Sequence, residues 1–426
     1  MRSTVEGAAP DDDLGVLRVT ELRPVTDLVV AGAAASGLAL AAAVKQALGD
    51  GVSVAVVDPA QARDPRPPIR TVAIAEGPRR LMETIGAWEA IAPKTQAILK
   101  MTIMDGGVRD AVRLPHLGFE TGEGREPLAH MAFVDDVVAS LSALCDCLGV
   151  ARLQASVVGF RPGLHVAEIG LSGRDPIRAR LAVAADGARS KLRGLADIPA
   201  YGWDYDQAGL VATIAHEYDH EGAAEQHFLP AGPFAILPLP GRQSSIVWNE
   251  RRADARALLA LDPEDFLRQL ELRFTPKLGE ISLASRVEMF PFRFQVARAF
   301  VGPRLALVGD AAHLVHPLAG QGLNLGFRDV AALAEDIVDA MRLGLDPGAA
   351  ARLADYQRAR RFDAVASGMG MDLMNRMFSN DLGPLRFVRD LGLRLVDRAP
   401  RLKDRFIHEA GGASGAAPRL LKGAAL

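Results

Sequence analysis

Residues 304–326 constrain this chain more than any other segment. Arg304-Leu305-Ala306-Leu307-Val308 is an apolar run, Gly309 and Asp310 close a turn, and Ala311-Ala312-His313 follows; after His316-Pro317, the stretch Gly320-Gln321-Gly322-Leu323-Asn324-Leu325-Gly326 opens a periodic segment. The pattern predicts a buried strand, a turn, and a glycine-rich loop at the head of a long helix. That helix is expected from about Leu323 to Leu343, because Leu325, Val330, Leu333, Ile337, Val338 and Met341 recur at helical spacing before Gly344 stops it. Its first turn presents free N–H groups and the positive end of the helix dipole to the loop, which therefore suits an anion such as a dinucleotide's phosphate chain or the edge of an anionic ring. A plain turn between a core strand and a core helix would carry the same glycines.

A second glycine-rich turn stands near the start, where Leu28-Val29-Val30-Ala31 leads into Gly32-Ala33-Ala34-Ala35-Ser36-Gly37 and an alanine-rich helix, Leu38 to Leu48. A strand at Val52 to Val57 ends on Asp58, about 20 residues past the turn, where an acid can accept hydrogen bonds from an adenosine ribose. Ala34 takes the middle glycine position of G-x-G-x-x-G. Its methyl group lies where the backbone should come closest to a pyrophosphate, which predicts weaker binding or a shifted loop. An alanine-rich core helix after a strand explains the same residues without a ligand. Between the two turns, the strand Arg180 to Ala185 runs into Asp186-Gly187-Ala188-Arg189-Ser190, with Arg193 three residues further on.

The order of these three turns closely resembles the class A flavin-dependent aromatic hydroxylases, and within them the branch that hydroxylates the ring of ubiquinone precursors. Arg70-Thr71-Val72-Ala73-Ile74, Gly86-Ala87-Trp88, the segment Phe228 to Leu239, Ser244-Ser245-Ile246-Val247-Trp248 and Tyr356-Gln357-Arg358-Ala359-Arg360-Arg361 add to the resemblance, which spans about residues 25 to 395. It implies an α/β protein: a discontinuous Rossmann-like FAD-binding domain, an inserted, mainly β-sheet substrate domain, and a C-terminal helical segment. The expected division is a disordered tail over 1–25, FAD-binding segments at 26–98, 126–200 and 287–378, substrate-domain segments at 99–125 and 201–286, and an amphipathic region over 379–426. The residues themselves require discontinuity, since turns near 30, 186 and 310 have to meet around one cofactor. Strands at Leu210 to Ala215, Ala235 to Leu239 and Ser245 to Trp248, punctuated by Pro230, Gly232, Pro240 and Gly241, suit a sheet placed over that cofactor, with a helix near Pro263 to Phe274 between strands.

The activity implied by the resemblance is that of an FAD-dependent monooxygenase. It would hydroxylate the aromatic ring of a polyprenylated phenol in ubiquinone biosynthesis through a C4a-hydroperoxyflavin, using O2 and NAD(P)H or another electron donor. The cofactor then carries the hard chemistry, and the protein supplies a dry cavity and dipoles that hold the flavin's charge. Position by position, the family places Gly32, Ala34 and Gly37 at the pyrophosphate turn, Asp58 on the adenosine ribose, and Arg70 along the ribityl or pyrophosphate region. It places Asp186 and Gly187 near the pyrophosphate and Gly309 with Asp310 at the ribityl chain. The loop glycines Gly320 and Gly322, with the backbones of Leu323 and Asn324, fall at the pyrimidine edge. Pro317 would face the oxygen-reacting carbon without an N–H to interfere, with His316 beside it. His313 and His316 could serve in structural hydrogen bonding or in proton transfer, and their spacing on a non-helical turn does not suggest a metal pair. Arg293 could contact substrate or flavin, or snorkel at a sheet edge.

Composition sets limits. At 426 residues and 49% hydrophobic content the chain can bury a large core, and a net charge of −3 gives no reason to expect nucleic acid as a partner. Cys145 and Cys147, two apart on an expected helix Val137 to Leu148, face different ways, so two buried thiols in a reducing compartment are expected rather than a disulfide or a metal site. The polar, acidic start around Asp11-Asp12-Asp13 has no apolar signal core, and no apolar run reaches the ~20 residues a membrane span needs, so a cytoplasmic protein is expected. Near the C-terminus, Leu385, Val388, Leu391, Leu395 and Val396 form an apolar stripe among many Arg and Lys residues. A basic amphipathic helix can lie on the inner face of an anionic membrane, dock on a partner of a quinone-biosynthetic complex, or pack on its own domain.

Two other functions compete with hydroxylation. A flavin-dependent halogenase would carry a W-x-W-x-I-P signature that Trp203-Asp204-Tyr205-Asp206 does not match. A flavin-binding scaffold subunit of a quinone-biosynthetic complex, with little activity of its own, is kept open by Ala34, and hydroxylation of another small aromatic is the alternative within the same chemistry.

Overall fold

The computed structural model describes residues 25–59, 68–105, 115–121, 126–274, 276–317, 320–379 and 417–426. Strand β1 (Val25–Ala31) enters helix α1 (Ala35–Leu48) and returns as β2 (Val54–Asp58), parallel to β1 with Ala31 opposite Val57. Both strands are buried on their two faces, which is why they read as unbroken apolar runs rather than alternations. The alanines of α1 let the helix lie close on the sheet, and every residue from Leu38 to Val44 is buried. Strand β3 (Thr71–Ile74) follows, then α2 (Glu76–Thr84). Strand β4 (Arg174–Ala184) runs parallel to β1 on its other side and ends just before the short helix α3 (Lys191–Leu195).

A second sheet is built from β5 (Ala200–His216), β6 (Gly232–Leu239), β7 (Gln243–Arg251) and β8 (Glu288–Ala297), completed by Ala223–Leu229, Lys100–Asp105, Pro115–Glu120 and two short edge strands. The 17 residues of β5 make it far longer than the run expected from Leu210 to Ala215, because its first half pairs with β8 and its second half with β7. Strand β9 (Leu305–Leu307) returns to the first sheet beside β4, and the chain closes with α4 (Gln321–Arg342) and the 29-residue α5 (Ala350–Phe378).

The second sheet has two unlike faces. Ala208, Leu210, Ala212, Ile214, Phe234, Ile236, Ile246 and Trp248 pack with Phe266 and Leu270 of the helix Pro263–Glu271. Alternation then puts Gln207, Gly209, Val211, Ala235, Leu237, Ser245, Val247 and Asn249 on the opposite face, where Leu237 joins Ala73 and Met131 of the small sheet formed by β3, Ala129–Phe133 and Gln96–Ile98.

Several expectations need correction here. Strand β8 hydrogen-bonds to β5, so the second sheet runs past the division expected at residue 287. Cys145 is buried, and burial pushes its thiol up to about 11, but Cys147 is exposed; both are free thiols. The acidic start, and 380–416 of the expected C-terminal helical region, lie outside the described residues. Its last ten residues do not form an amphipathic helix: Leu420 and Leu421 are buried in the main core, and Arg419 bonds Glu335 and Asp339 of α4. Among the described residues no helix is long and apolar enough to cross a membrane.

Candidate functional site

Parallel pairing brings the three sequence-distant turns to one sheet end. Ala31 of β1 lies opposite Ala184 of β4, and Ala184 opposite Leu307 of β9, so the turns at 32, 186 and 309 leave adjacent strands at the same level. The carboxyl ends of parallel strands are where such sheets bind ligands.

At the first turn, Gly32 has φ +112°, and a Cβ there would stand 2.3 Å from the Ala185 carbonyl oxygen; a Cβ on Gly37 would stand 2.1 Å from the Gly32 oxygen. No side chain fits at either position, so the turn and the head of α1 are pressed against the end of β4. Ala34 differs: with φ −83° and an exposed side chain, it adopts a conformation open to any residue. Asp58 reaches back from β2, its Oδ2 accepting the Ala33 N–H at 2.8 Å.

At the second turn, Asp186 Oδ2 accepts from the N–H groups of Lys191 and Leu192 at 2.8 and 3.2 Å, while its buried Oδ1 has no hydrogen-bond partner among the described residues. Gly187, φ +82°, faces open space. Arg193 joins this turn to the third by donating to the carbonyls of Ala188 at 2.9 Å and Ala311 at 2.8 Å.

The third turn rests on Asp329, a residue that pattern reading missed. Fully buried in α4, its carboxylate accepts the Gly309 N–H at 3.0 Å, meets His313 Nε2 at 2.6 Å and accepts Arg360 Nε at 2.9 Å. Burial alone would raise its pKa, but His313 and Arg360 outweigh that and hold the carboxyl below its usual range. The only sequence signal was a charge inside an otherwise apolar helical stripe. Asp310, next to it, keeps solvent contact although protein surrounds it on most sides; that enclosure pushes its carboxyl up, against the pull of His313 and Arg70.

Gly320 caps α4 in the left-handed region at φ +63°, leaving the N–H groups of Gln321, Gly322 and Leu323 without intrahelical acceptors, with open space around Gly322. Asn324 takes another part through its side chain, donating to Ala73 O at 2.8 Å and accepting from Ala75 N–H at 3.0 Å, which ties α4 to β3. Arg70, exposed at the start of β3, lies with its guanidinium carbon 5.8 Å from the Phe290 ring centre. Thr71 beside it bonds Ser245 of the second sheet at 2.8 Å.

Pro317 is exposed at the loop, whereas His316 is fully buried, edge-on to Tyr205 and Phe292 at 5.2 and 4.8 Å between ring centres. Burial drives its pKa down to about 4, and neither ring nitrogen has a partner among the described residues. Structural hydrogen bonding therefore describes His313 but not His316. Arg293 is half exposed and lies 3.6 Å from Asp204. These features fit FAD: free helix N–H groups, glycines no Cβ could replace, and a buried carboxylate oxygen awaiting a donor converge at one sheet end.

The FAD binding domain family matches residues 165–367. Over 413 residues the chain is 40% identical to a ubiquinone hydroxylase of Rhodospirillum rubrum, covering 94% of each protein. The chain belongs to the class A flavin hydroxylases of ubiquinone biosynthesis. It is an FAD-dependent monooxygenase, and its reaction takes O2, a reductant and a phenolic substrate. The hydroxylase is also 33% identical to the 3-demethoxyubiquinol 3-hydroxylase of Escherichia coli, over 91% of this chain and 98% of that protein. In fold it matches the p-nitrophenol 4-monooxygenase of Pseudomonas putida, with a TM-score of 0.75 at 18% identity, over 91% of this chain and 99% of that one.

Proposed function

We propose that this hydroxylase oxidises the ring of a polyprenylated phenol held between the second sheet and the loop at Pro317. One observation carries the reading: Val211, Ala235, Leu237 and Val247 are partly exposed on the sheet face that bonds to β3, so an apolar wall stands opposite the cofactor groove. Such a wall suits a prenylated ring and excludes water. Bound FAD supplies the activation of O2 and the redox change.

The chain's own residues would bind and orient. Gly32, Ala34, Gly37 and the head of α1 hold the pyrophosphate, with Asp186 and Gly187 beside it; Asp58 takes the adenosine ribose, and Arg70, Gly309 and Asp310 the ribityl region. The loop from Gly320 to Asn324, with its free helix N–H groups, would hold the pyrimidine edge and stabilise negative charge there. Pro317 would face the reacting carbon with no N–H to compete, and His316, next to it in the chain, is a neutral imidazole. NAD(P)H is the proposed reductant, and the segment before residue 417 the proposed contact with an anionic membrane or a partner. The names of the matched hydroxylases support this reading over a scaffold without activity.

The test is turnover of FAD-loaded enzyme with NADH or NADPH and a short-chain prenylphenol, followed by mass spectrometry. Gain of one oxygen on the ring is expected. Reducing equivalents that end only in hydrogen peroxide, for every phenol offered, would remove the proposal.

A further inference from the structure

Two polar side chains near the flavin loop bury polar atoms that have no hydrogen-bond partner among the described residues. Asn249, on the β3-facing side of β7, is 4% exposed, and its Oδ1 accepts no hydrogen bond among the described residues. His316, 0% exposed, has no partner for either ring nitrogen among the described residues. Gln207, on the same sheet face, is saturated by contrast: its amide donates to Ala231 O and accepts from Asn375, each at 2.8 Å. A buried polar atom left bare costs about 1–3 kcal/mol, and an orphan of this kind in a native fold calls for a specific explanation.

Phe292 connects the pair. Its ring lies 4.8 Å from that of His316, and Gly209 provides the room beside it, because a Cβ on Gly209 would fall 2.7 Å from Phe292 Cζ and 3.4 Å from Asn249 Oδ1. Amide, phenyl ring and imidazole therefore form a continuous path from the apolar wall to the residue preceding Pro317. The neutral imidazole offers one donor and one acceptor, and Asn249 Oδ1 offers an acceptor alone. A ring that carries a hydroxyl and a second oxygen substituent complements this set.

We propose that Asn249 determines specificity for the phenolic hydroxyl of the substrate, its Oδ1 accepting the O–H while His316 meets the second oxygen of the same ring. The inference rests on the phenol-hydroxylase reading above. Because both groups are closed from solvent, it requires Phe292, the ring in contact with His316, to turn aside when a substrate ring enters. A site built to pair a hydroxyl rejects an analogue lacking it far more strongly than an apolar pocket does.

The experiment compares a short-chain prenylphenol with its methyl ether, binding being read from the perturbation of flavin absorbance in the FAD-loaded full chain. Wild type is expected to prefer the phenol by about 10-fold or more. Asn249→Leu, which keeps the branched shape and removes the oxygen, loses that preference by weakening the phenol about 10-fold and leaving the ether within about twofold. Asn249→Asp, which keeps an oxygen in place, retains the preference. An Asn249→Leu enzyme that still discriminates like wild type overturns the inference. So does one that loses both compounds together with FAD, which marks a purely structural residue, and so does an Asn249→Asp enzyme without the preference. Wild type that binds neither compound defeats the phenol reading itself, and this inference falls with it.

Discussion

Asp329 and His316 show two ways a side chain can be buried beside one loop. Asp329 satisfies its charge with a backbone N–H, an imidazole and a guanidinium, and so fixes the turn that carries Asp310. His316 satisfies neither nitrogen among the described residues, and its folded pKa near 4 lies below the ordinary 6.5, so the native protein keeps it neutral where the unfolded chain takes up a proton. Between those pH values the unfolded state binds more protons, and stability must fall as pH drops from 6.5 towards 4. From pH 7 to pH 5 the loss from this one group is about 2 kcal/mol. Urea unfolding of wild type and His316→Phe at both pH values checks it: the variant should lose less stability on acidification than wild type, and equal losses would rule out a neutral buried imidazole. Neither role could be read from the His-x-x-His spacing, because the difference lies in what α4 and the second sheet place against each ring.

At the scale of elements, the C-terminal ten residues act as a clamp on α4 and the main core. Leu420 and Leu421 enter the main core, Arg419 bonds Glu335 and Asp339, and Arg342 donates to the Leu426 carbonyl at 3.0 Å. Leu420→Ala is expected to cost about 2–4 kcal/mol in a denaturant titration, and a cost under about 1 kcal/mol would show that this contact is dispensable. A membrane test on this hydroxylase should therefore spare residues 417–426, since removing everything after 380 would unpack the core along with any lipid-binding segment. The basic residues after 380 read as one surface in sequence, yet Arg419 is committed to acidic partners on α4. The helix itself was legible: α4 spans Gln321–Arg342 against an expectation of Leu323 to Leu343, because a 3.6-residue apolar period and a closing glycine need no knowledge of neighbours. The extension of β5 back to Ala200 was not, since its first half depends on a partner strand some ninety residues away.

For the whole molecule, the proposed cofactor site links folding to binding, because segments near 32, 186 and 309 meet at the same sheet end. FAD at 100 times its dissociation constant should add about 2.7 kcal/mol of stability to the apoprotein, visible as a rise in Tm. Gly32→Ala, which would drive a methyl group into the Ala185 carbonyl, should abolish that rise by displacing the turn. An unchanged FAD-dependent shift in the variant would mean that the turn does not hold the cofactor.

Local chemistry determined the three turns, the strand and helix types around them, and the order that marks the family, since backbone conformation and apolar period depend on near neighbours alone. Tertiary packing decided the rest: which sheet face lies open, how Asp329 anchors the third turn, and why Asn249 and His316 stand bare on either side of Phe292. Those facts arise where residues far apart in the chain exclude water from one another, and no period along the chain records who is excluded by whom.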